Sequence, residues 1–230
     1  MRWPQPLVPA HFLRRENRFR CQVELDGAVV PAHLPNSGRL GELLTPGAAV
    51  RVRPAANPGP RKTVGDLTLV WHAGAWVSVD ARLPGRLAAE ALALGRLAPF
   101  AGYPKVQAEV RAGDSRLDLL LEGPAGRCWI ETKSVTLVEG GVALFPDAPT
   151  ARGARHLQAL QALRGLGERA AVVFVVQRQD VLAFSPHPSA DPAFAEALRR
   201  ASRAGVEVYA YRCAVDLAGI EITEPVEVRL

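Results

Sequence analysis

The sequence predicts a two-domain protein of mixed α+β and α/β class, with a small β-barrel first and a layered domain second. Three observations predict this fold. Up to residue 80, short alternating runs are separated by turn residues and no helical periodicity is evident. Beyond residue 80, helical and strand patterns alternate, and the unbroken apolar run Ala170 to Val176 is typical of a strand covered on both faces. We therefore place the domains at residues 1–80 and 81–230.

Five short strands are expected in the first domain. They are Phe19 to Leu25, Ala28 to Leu34, Ala48 to Arg53, Asp66 to His72 and Ala75 to Val79. The dipeptides Asp26-Gly27 and Ala73-Gly74 have the composition of hairpin turns. Short strands joined by such turns, without a helix, favour a small closed barrel.

The second domain is expected to alternate helices and strands. The pattern predicts helix 84–96, strands near 106–111, 115–121 and 128–137, helix 150–164, strand 170–176, a helix after Asp191-Pro192 and strand 206–212. This order gives a sheet with helices packed against it.

Three residues of one predicted hairpin, Asp118, Glu131 and Lys133, have the chemistry of a metal-dependent site. Folding the hairpin about the Pro124–Ala125 bond sets Asp118 opposite Glu131 and Arg116 opposite Lys133, with Glu131 and Lys133 on one face. A solvated face is the alternative interpretation, but it would pair opposite charges. Two facing carboxylates are better explained by a divalent cation between them, such as Mg²⁺ or Mn²⁺.

Lys133 is one of only three lysines beside 25 arginines. A lysine kept in so arginine-rich a chain indicates a position where a compact charge, able to give up a proton, differs from a rigid guanidinium. We expect Lys133 to act in catalysis with Asp118 and Glu131.

Glu90 is the expected third metal ligand. It falls within a helical stripe formed by Leu83, Leu87, Leu94 and Leu97. A carboxylate on such a stripe is costly unless it is paired or binds metal. A glutamate that reaches water at the edge of the stripe, or that pairs with an arginine, is the alternative.

The chain resembles the sugar fermentation stimulation protein A family, whose second domain has a PD-(D/E)xK nuclease-like core. The matching segments are Leu34–Arg39, Arg61-Lys62, Glu109–Arg111, Ser115–Asp118, Ile130–Leu137, Phe145–Ala148, Arg152-Gly153, His156-Leu157 and Gly205–Val208. The resemblance implies an OB-type five-stranded barrel followed by a restriction-endonuclease-like αβββαβ domain. The chain departs from the family pattern at Leu34, Gly85, Thr132 and Ala151, none of which is an expected side-chain ligand.

Nine residues are predicted to contact nucleic acid. Arg152, Arg155 and His156 share one face at the start of a helix, where backbone N–H groups also attract anions. The others are Asn36, Ser37, Arg39, Arg61 and Lys62 on barrel loops, and Arg116 on the hairpin. The alternative for each group is an ordinary turn or a solvated basic face.

The bulk properties suit a polyanionic partner. The formal net charge is +5 and the pI about 9.6, although an arginine-rich coding bias would give the same balance. Three unpaired cysteines, a start without an apolar signal and the lack of a membrane-length apolar run predict a cytoplasmic protein without a membrane partner.

We expect a DNA-binding protein with a metal-dependent nuclease-type site. RNA as the partner and a homodimer are kept as alternatives. A rival interpretation is a non-catalytic DNA-binding regulator of sugar-catabolism genes, which the family name implies. No helix-turn-helix pattern supports that rival, and an intact Asp118, Glu131 and Lys133 set favours chemistry.

Overall fold

The first part of the chain folds into a closed β-barrel. In the computed structural model, which describes residues 1–56 and 62–230, its strands are β1 (Val8–Asn17), β2 (Arg20–Leu25), β3 (Ala28–His33), β4 (Ala49–Pro54), β5 (Gly65–His72) and β6 (Ala75–Ser78). They hydrogen-bond in the order β3-β2-β1-β4-β5-β6. The pairing of His33 in β3 with Asp66 in β5 closes five of them into a barrel. Inward-pointing residues such as Phe12 and Val23 form its apolar core.

The turn chemistry of the barrel is as predicted. Asp26-Gly27 connects β2 to β3 and Ala73-Gly74 connects β5 to β6, and all four residues have positive φ, as a two-residue hairpin turn requires. The five predicted strands are present. Strand β1 is an addition: the sequence does not predict it, although it lies between β2 and β4 in the sheet.

The second domain has the predicted order of helices and strands. Its elements are α1 (Pro84–Ala93), β7 (Lys105–Ala112), β8 (Ser115–Gly123), β9 (Gly126–Val135), β10 (Val138–Glu139), β11 (Val142–Phe145), α2 (Ala151–Gly165), β12 (Arg169–Val176), β13 (Ala183–Pro186), α3 (Pro192–Arg203), β14 (Glu207–Val215), β15 (Ile220–Pro225) and β16 (Glu227–Val228). The succession α1-β7-β8-β9-α2-β12 is the expected αβββαβ core. Strands β10, β11, β13 and β16 form a small separate sheet that the sequence does not predict.

Strand β12 lies at the centre of the main sheet, whose order is β15-β14-β12-β9-β8-β7. It runs parallel to β9 and β14, and every residue from Ala170 to Val176 is buried. Alternate side chains enter two separate cores: Val173 packs with Leu87 of α1, and Phe174 with Leu157 of α2. The prediction that this strand is covered on both faces is confirmed.

The two domains share several polar contacts. Ser78 in β6 donates through its backbone N–H and its hydroxyl to Gln177, which follows β12. The Gln177 amide nitrogen donates to the carbonyl of Asp80 and to the Ser134 hydroxyl in β9, at 3.0 and 2.7 Å. Near the start of the chain, Trp3 packs in the core of the second domain rather than in the barrel. The barrel therefore contacts the second domain where strands β9 and β12 end.

The three cysteines, Cys21, Cys128 and Cys213, are buried and free. No helix in the described part of the chain is long and apolar enough to cross a membrane.

Candidate active site

The predicted hairpin opens into a fork where the acidic residues lie. Its register is the expected one, with Gly123 opposite Gly126 and Leu119 opposite Ile130. Regular pairing ends at Leu119, and beyond it the Thr132 N–H donates to Asp118 Oδ2 at 2.7 Å instead of to a strand carbonyl. The Thr132 hydroxyl donates to the same oxygen. Because the N–H and C=O of one strand residue point to the same side, the Thr132 carbonyl also faces this gap.

Glu131 is the most buried acidic group at the fork. Its side chain is 3% exposed. Oε1 accepts hydrogen bonds from Lys133 Nζ and His156 Nδ1. Oε2 is buried and has no hydrogen-bond partner among the described residues. A buried carboxylate oxygen without a donor is costly, and a ligand bound to this atom would remove that cost.

His156 is held in one tautomer by its neighbours. Arg152, one helical turn earlier in α2, donates from Nε to His156 Nε2 at 3.4 Å. An Nε2 that accepts a hydrogen bond carries no proton, so the proton is on Nδ1, which donates to Glu131. Arg152, His156, Glu131 and Lys133 thus form one hydrogen-bonded chain.

The environment shifts the pKa values of the two carboxyl groups in opposite directions. Burial raises the pKa of Asp118, the negative charge of Glu131 raises it further, and the Thr132 hydrogen bonds only partly offset this. Burial also acts to raise the pKa of Glu131, but the His156 and Lys133 hydrogen bonds and the Lys133 charge outweigh it, so the pKa lies below its ordinary value. A bound cation would stabilise the ionised form of both groups.

Both carboxylates line one cavity of about 680 Å³ between the two domains. Of the nine predicted nucleic-acid residues, Asn36, Ser37, Arg152 and His156 also line it. The others in the described ranges, Arg39, Lys62, Arg116 and Arg155, lie outside its lining, and Arg61 is outside the described residues. His156 itself is buried and turned towards Glu131, so it lies inside the site and not on a basic surface.

Glu90 does not join this site, and we withdraw it as a metal ligand. Its carboxylate accepts from the amino group of Met1 at 2.7 Å and is 39% exposed. The helix ends at Ala93, so Leu94 leaves the apolar stripe and is exposed to solvent. The pattern that made Glu90 appear buried therefore does not hold.

Arg116 also differs from the prediction. It lies opposite Arg111 of β7 and donates to the Glu109 carboxylate at 2.7 Å, far from a pairing with Lys133. Glu109 has a φ of 58°, an uncommon conformation for a residue with a side chain, and interrupts the regular pairing of β7 with β8. Arg116 is exposed and does not line the cavity, whereas Glu109 does.

Three arginines of the cavity lining were not predicted: Arg18, Arg82 and Arg86. Arg82 is held by Asp66 and Asp80, at 2.6 and 2.7 Å. For Arg86 the sequence does carry a signal, because a basic residue in the first turn of a helix opposes the helix dipole. Nothing in the local pattern distinguishes Arg18.

One barrel loop forms part of the cavity rim. Asn36 shapes it by accepting from the Gly38 N–H at 2.8 Å and donating to the Val79 carbonyl at 3.1 Å. The Leu40 N–H then donates to Asp147 Oδ2 of the second domain at 3.2 Å. Gly38 packs so closely that a Cβ there would lie 2.4 Å from the same oxygen. The loop is thereby fixed to the second domain.

Comparisons with known proteins agree with this architecture. Residues 13–79 match the family model described as the SfsA N-terminal OB domain, and residues 82–219 match the sugar fermentation stimulation protein RE domain. The sugar fermentation stimulation protein homolog of Moorella thermoacetica is 50% identical over 228 residues, covering 99% of this chain and 98% of that relative. The homolog of Desulforamulus reducens is 46% identical over 224 residues, covering 97% and 93%.

A solved structure, described as Pyrococcus furiosus SfsA in complex with Ca²⁺, is 35% identical to this chain. It superposes with a TM-score of 0.92 over 100% of this chain and 98% of that one. The predicted fold, an OB barrel followed by a restriction-endonuclease-like domain, is confirmed.

Proposed function

The chain therefore belongs to the sugar fermentation stimulation protein family, and we propose that it binds DNA and hydrolyses its phosphodiester bonds at the Asp118, Glu131 and Lys133 site. The observation that carries this proposal is the free Oε2 of Glu131, buried beside a second carboxylate and a lysine in one cavity. Most buried carboxylate oxygens in folded proteins accept a hydrogen bond, and a cation bound beside Asp118 would satisfy this one.

The donor set fits a hard divalent cation. Mg²⁺ is commonly held by one or two carboxylates, with water and substrate phosphate oxygens completing its coordination. Within residues 1–56 and 62–230, no group of three His, Cys, Asp or Glu side chains is placed to enclose a metal. Asp118, Glu131 Oε2 and the Thr132 carbonyl would hold Mg²⁺ or Mn²⁺ and leave room for substrate. The Ca²⁺ complex of the Pyrococcus furiosus relative supports a hard cation in this fold.

Each residue has a separate task in this mechanism. When bound, the cation polarises the scissile phosphate and lowers the pKa of a water molecule. Lys133, 11% exposed, directs its ammonium group towards Glu131, where it orients the attacking water and stabilises negative charge that develops on the phosphate. His156 fixes the Glu131 carboxylate so that Oε2 stays directed at the ligand position.

The proposal is tested with labelled single- and double-stranded DNA and RNA in Mg²⁺, Mn²⁺ or chelator. We expect cleavage of DNA that requires the metal and is abolished by Asp118→Asn and by Lys133→Ala. Matched controls are Asp114→Asn in the exposed turn before β8 and Lys105→Ala at the exposed start of β7, neither of which lines the cavity. Both controls should retain wild-type rates.

The rival function gives a different result. Salt-sensitive DNA binding without cleavage in any metal, unchanged by Lys133→Ala, would overturn the nuclease proposal and favour a non-catalytic regulator. Cleavage of RNA alone would overturn DNA as the substrate. In the described part of the chain, each α-helix is separated from the next by strands, so no helix-turn-helix favours that rival.

A further inference from the structure

We infer that a single nucleic-acid strand, rather than a duplex, reaches the carboxylates, and that Arg18 and Arg86 on the cavity rim hold its phosphates. The inference deepens the proposed function and rests on it for the nature of the ligand. It also assigns a binding role to two arginines that are not among the nine predicted nucleic-acid contacts.

The two arginines come from opposite domains, and their side chains are unpaired within residues 1–56 and 62–230. Arg18 lies in the turn between β1 and β2 of the barrel, and Arg86 in the first turn of α1. Both side chains are exposed, both line the cavity, and neither makes an ion pair or side-chain hydrogen bond with the described residues. Other exposed arginines, such as Arg96 and Arg127, are paired with carboxylates. Unpaired cations at the mouth of a cavity suit an anionic ligand.

The two helices that begin at the cavity add to its positive potential. Pro84 and Gly85 of α1 line the cavity, as do Thr150 and Arg152 at the start of α2. Neither helix has an acidic residue in its first turn, and α1 has no side-chain cap for its N–H groups. Arg86 and Arg152 instead lie where a helix dipole disfavours a cation. A bound phosphate would compensate that repulsion and accept from the free N–H groups.

The shape of the cavity favours one strand over two. Its volume of about 680 Å³ lies within the range of roughly 300–1,000 Å³ that is typical of small-molecule sites. Its walls belong to both domains, and the Leu40 to Asp147 hydrogen bond and the close packing of Gly38 fix the barrel loop at the rim. Because the two strands of a duplex stay together, a duplex would need more room than a cavity of this volume provides. One strand can enter alone, and OB barrels are common platforms for single strands.

Binding is measured by fluorescence anisotropy with a labelled single-stranded DNA and the duplex of the same sequence, in chelator and over 50–200 mM salt. The wild-type protein should bind the single strand more tightly. The slope of log K against log salt is negative, and Arg18→Ala and Arg86→Ala should each make it less steep by about 0.7, which reduces the loss of affinity between 50 and 200 mM salt by about threefold per arginine. In the double variant the slope should change by about twice as much.

Matched controls exist in each domain. Arg14 on β1 and Arg200 on α3 are exposed, lie outside the cavity lining and have no ion pair in the described ranges. Arg14→Ala and Arg200→Ala should keep the wild-type slope. An RNA strand that binds as well as the DNA strand would support the inference, because phosphate contacts do not read the sugar.

Equal or tighter binding of the duplex would overturn the single-strand inference. Slopes that do not change in the Arg18 and Arg86 variants, or that fall equally in the two controls, would overturn the assignment of these arginines. The chelator separates this test from catalysis. Loss of slope in the rim variants of a protein that cleaves nothing would leave this inference standing and refute only the nuclease proposal.

Discussion

Replacing His156 with alanine should weaken metal binding, although His156 is not itself a proposed ligand. His156 provides one of the two hydrogen bonds to Glu131 Oε1 and so keeps Oε2 directed at the ligand position. A hydrogen bond to a charged group contributes about 1.5–3 kcal/mol. If that energy goes into orienting Glu131, its loss corresponds to about a 10- to 100-fold weaker affinity, the range typical of groups that support metal ligands.

Isothermal titration with Mn²⁺ measures this affinity directly, without any need for cleavage. His156→Asn is the informative comparison, because the asparagine side chain offers an N–H donor close to the position of Nδ1. It should recover most of the affinity that His156→Ala loses. His11→Ala, an exposed histidine of the barrel, is the matched control and should bind as the wild type does.

Two results would refute this reasoning. Wild-type Mn²⁺ affinity in a folded His156→Ala protein would show that Glu131 needs no support from the histidine. An asparagine variant as weak as the alanine variant would show that the donor at Nδ1 is not the property that matters.

Three further variants test other parts of the molecule. Lys133→Arg should reduce single-turnover cleavage by about 10²-fold while DNA binding in chelator is unchanged, because a planar guanidinium does not replace a compact ammonium beside Glu131; wild-type cleavage would contradict this. Gly38→Ala should lower the free energy of unfolding in urea by about 1–2 kcal/mol, because the added methyl displaces Asp147 from its hydrogen bond, and an unchanged value would show that the loop yields freely. Burial acts to raise the pKa of Asp66, but hydrogen bonds from two arginines and a histidine outweigh it and hold that pKa below its ordinary 3.8. A depressed folded-state pKa gives stability that is present above about pH 3.8 and is lost as the pH falls below it. The free energy of unfolding in urea should therefore fall with acid more steeply for the wild type than for Asp66→Asn. Parallel curves for the two proteins would contradict this.

The register of the β8–β9 hairpin could be predicted because turn chemistry sets it. Gly123, Pro124 and Gly126 leave one practical place for the chain to reverse, and the pairing of every later residue follows from it. The same reasoning failed for Arg116, because regular pairing stops at Leu119. Where strands diverge, side-chain contacts such as that of Asp118 with Thr132 replace the ladder, and alternation no longer gives the direction of a side chain.

The helix prediction failed at its C-terminal end. A stripe drawn through Leu87, Glu90, Leu94 and Leu97 assumes an unbroken helix, but Gly95 adopts a φ of 68° and the helix ends before it. Leu94 is then exposed and Glu90 lies at the margin of the apolar face. Helical periodicity identifies a buried face only within the helix.

The inward orientation of His156 could not be read from spacing. Residues three and four apart share a side of a helix, but that side is broad enough for Arg155 to reach solvent while His156 is buried. What distinguishes them is the position of Glu131, which lies on another strand and is brought near only by the packing of α2 on the sheet. The position of Arg18 on the cavity rim likewise depends on how the two domains meet.

Gln177 joins the two domains through directional hydrogen bonds. Its side-chain oxygen accepts a hydrogen bond from the Ser78 hydroxyl of the barrel, and its side-chain nitrogen donates to Ser134, one residue beyond Lys133. A chimaera that took its barrel from a distant relative would keep both apolar interiors. It would nevertheless misplace the strand that carries Glu131 and Lys133 unless Ser78, the barrel partner of Gln177, came with it. The two halves of such proteins should therefore be interchangeable only as matched sets.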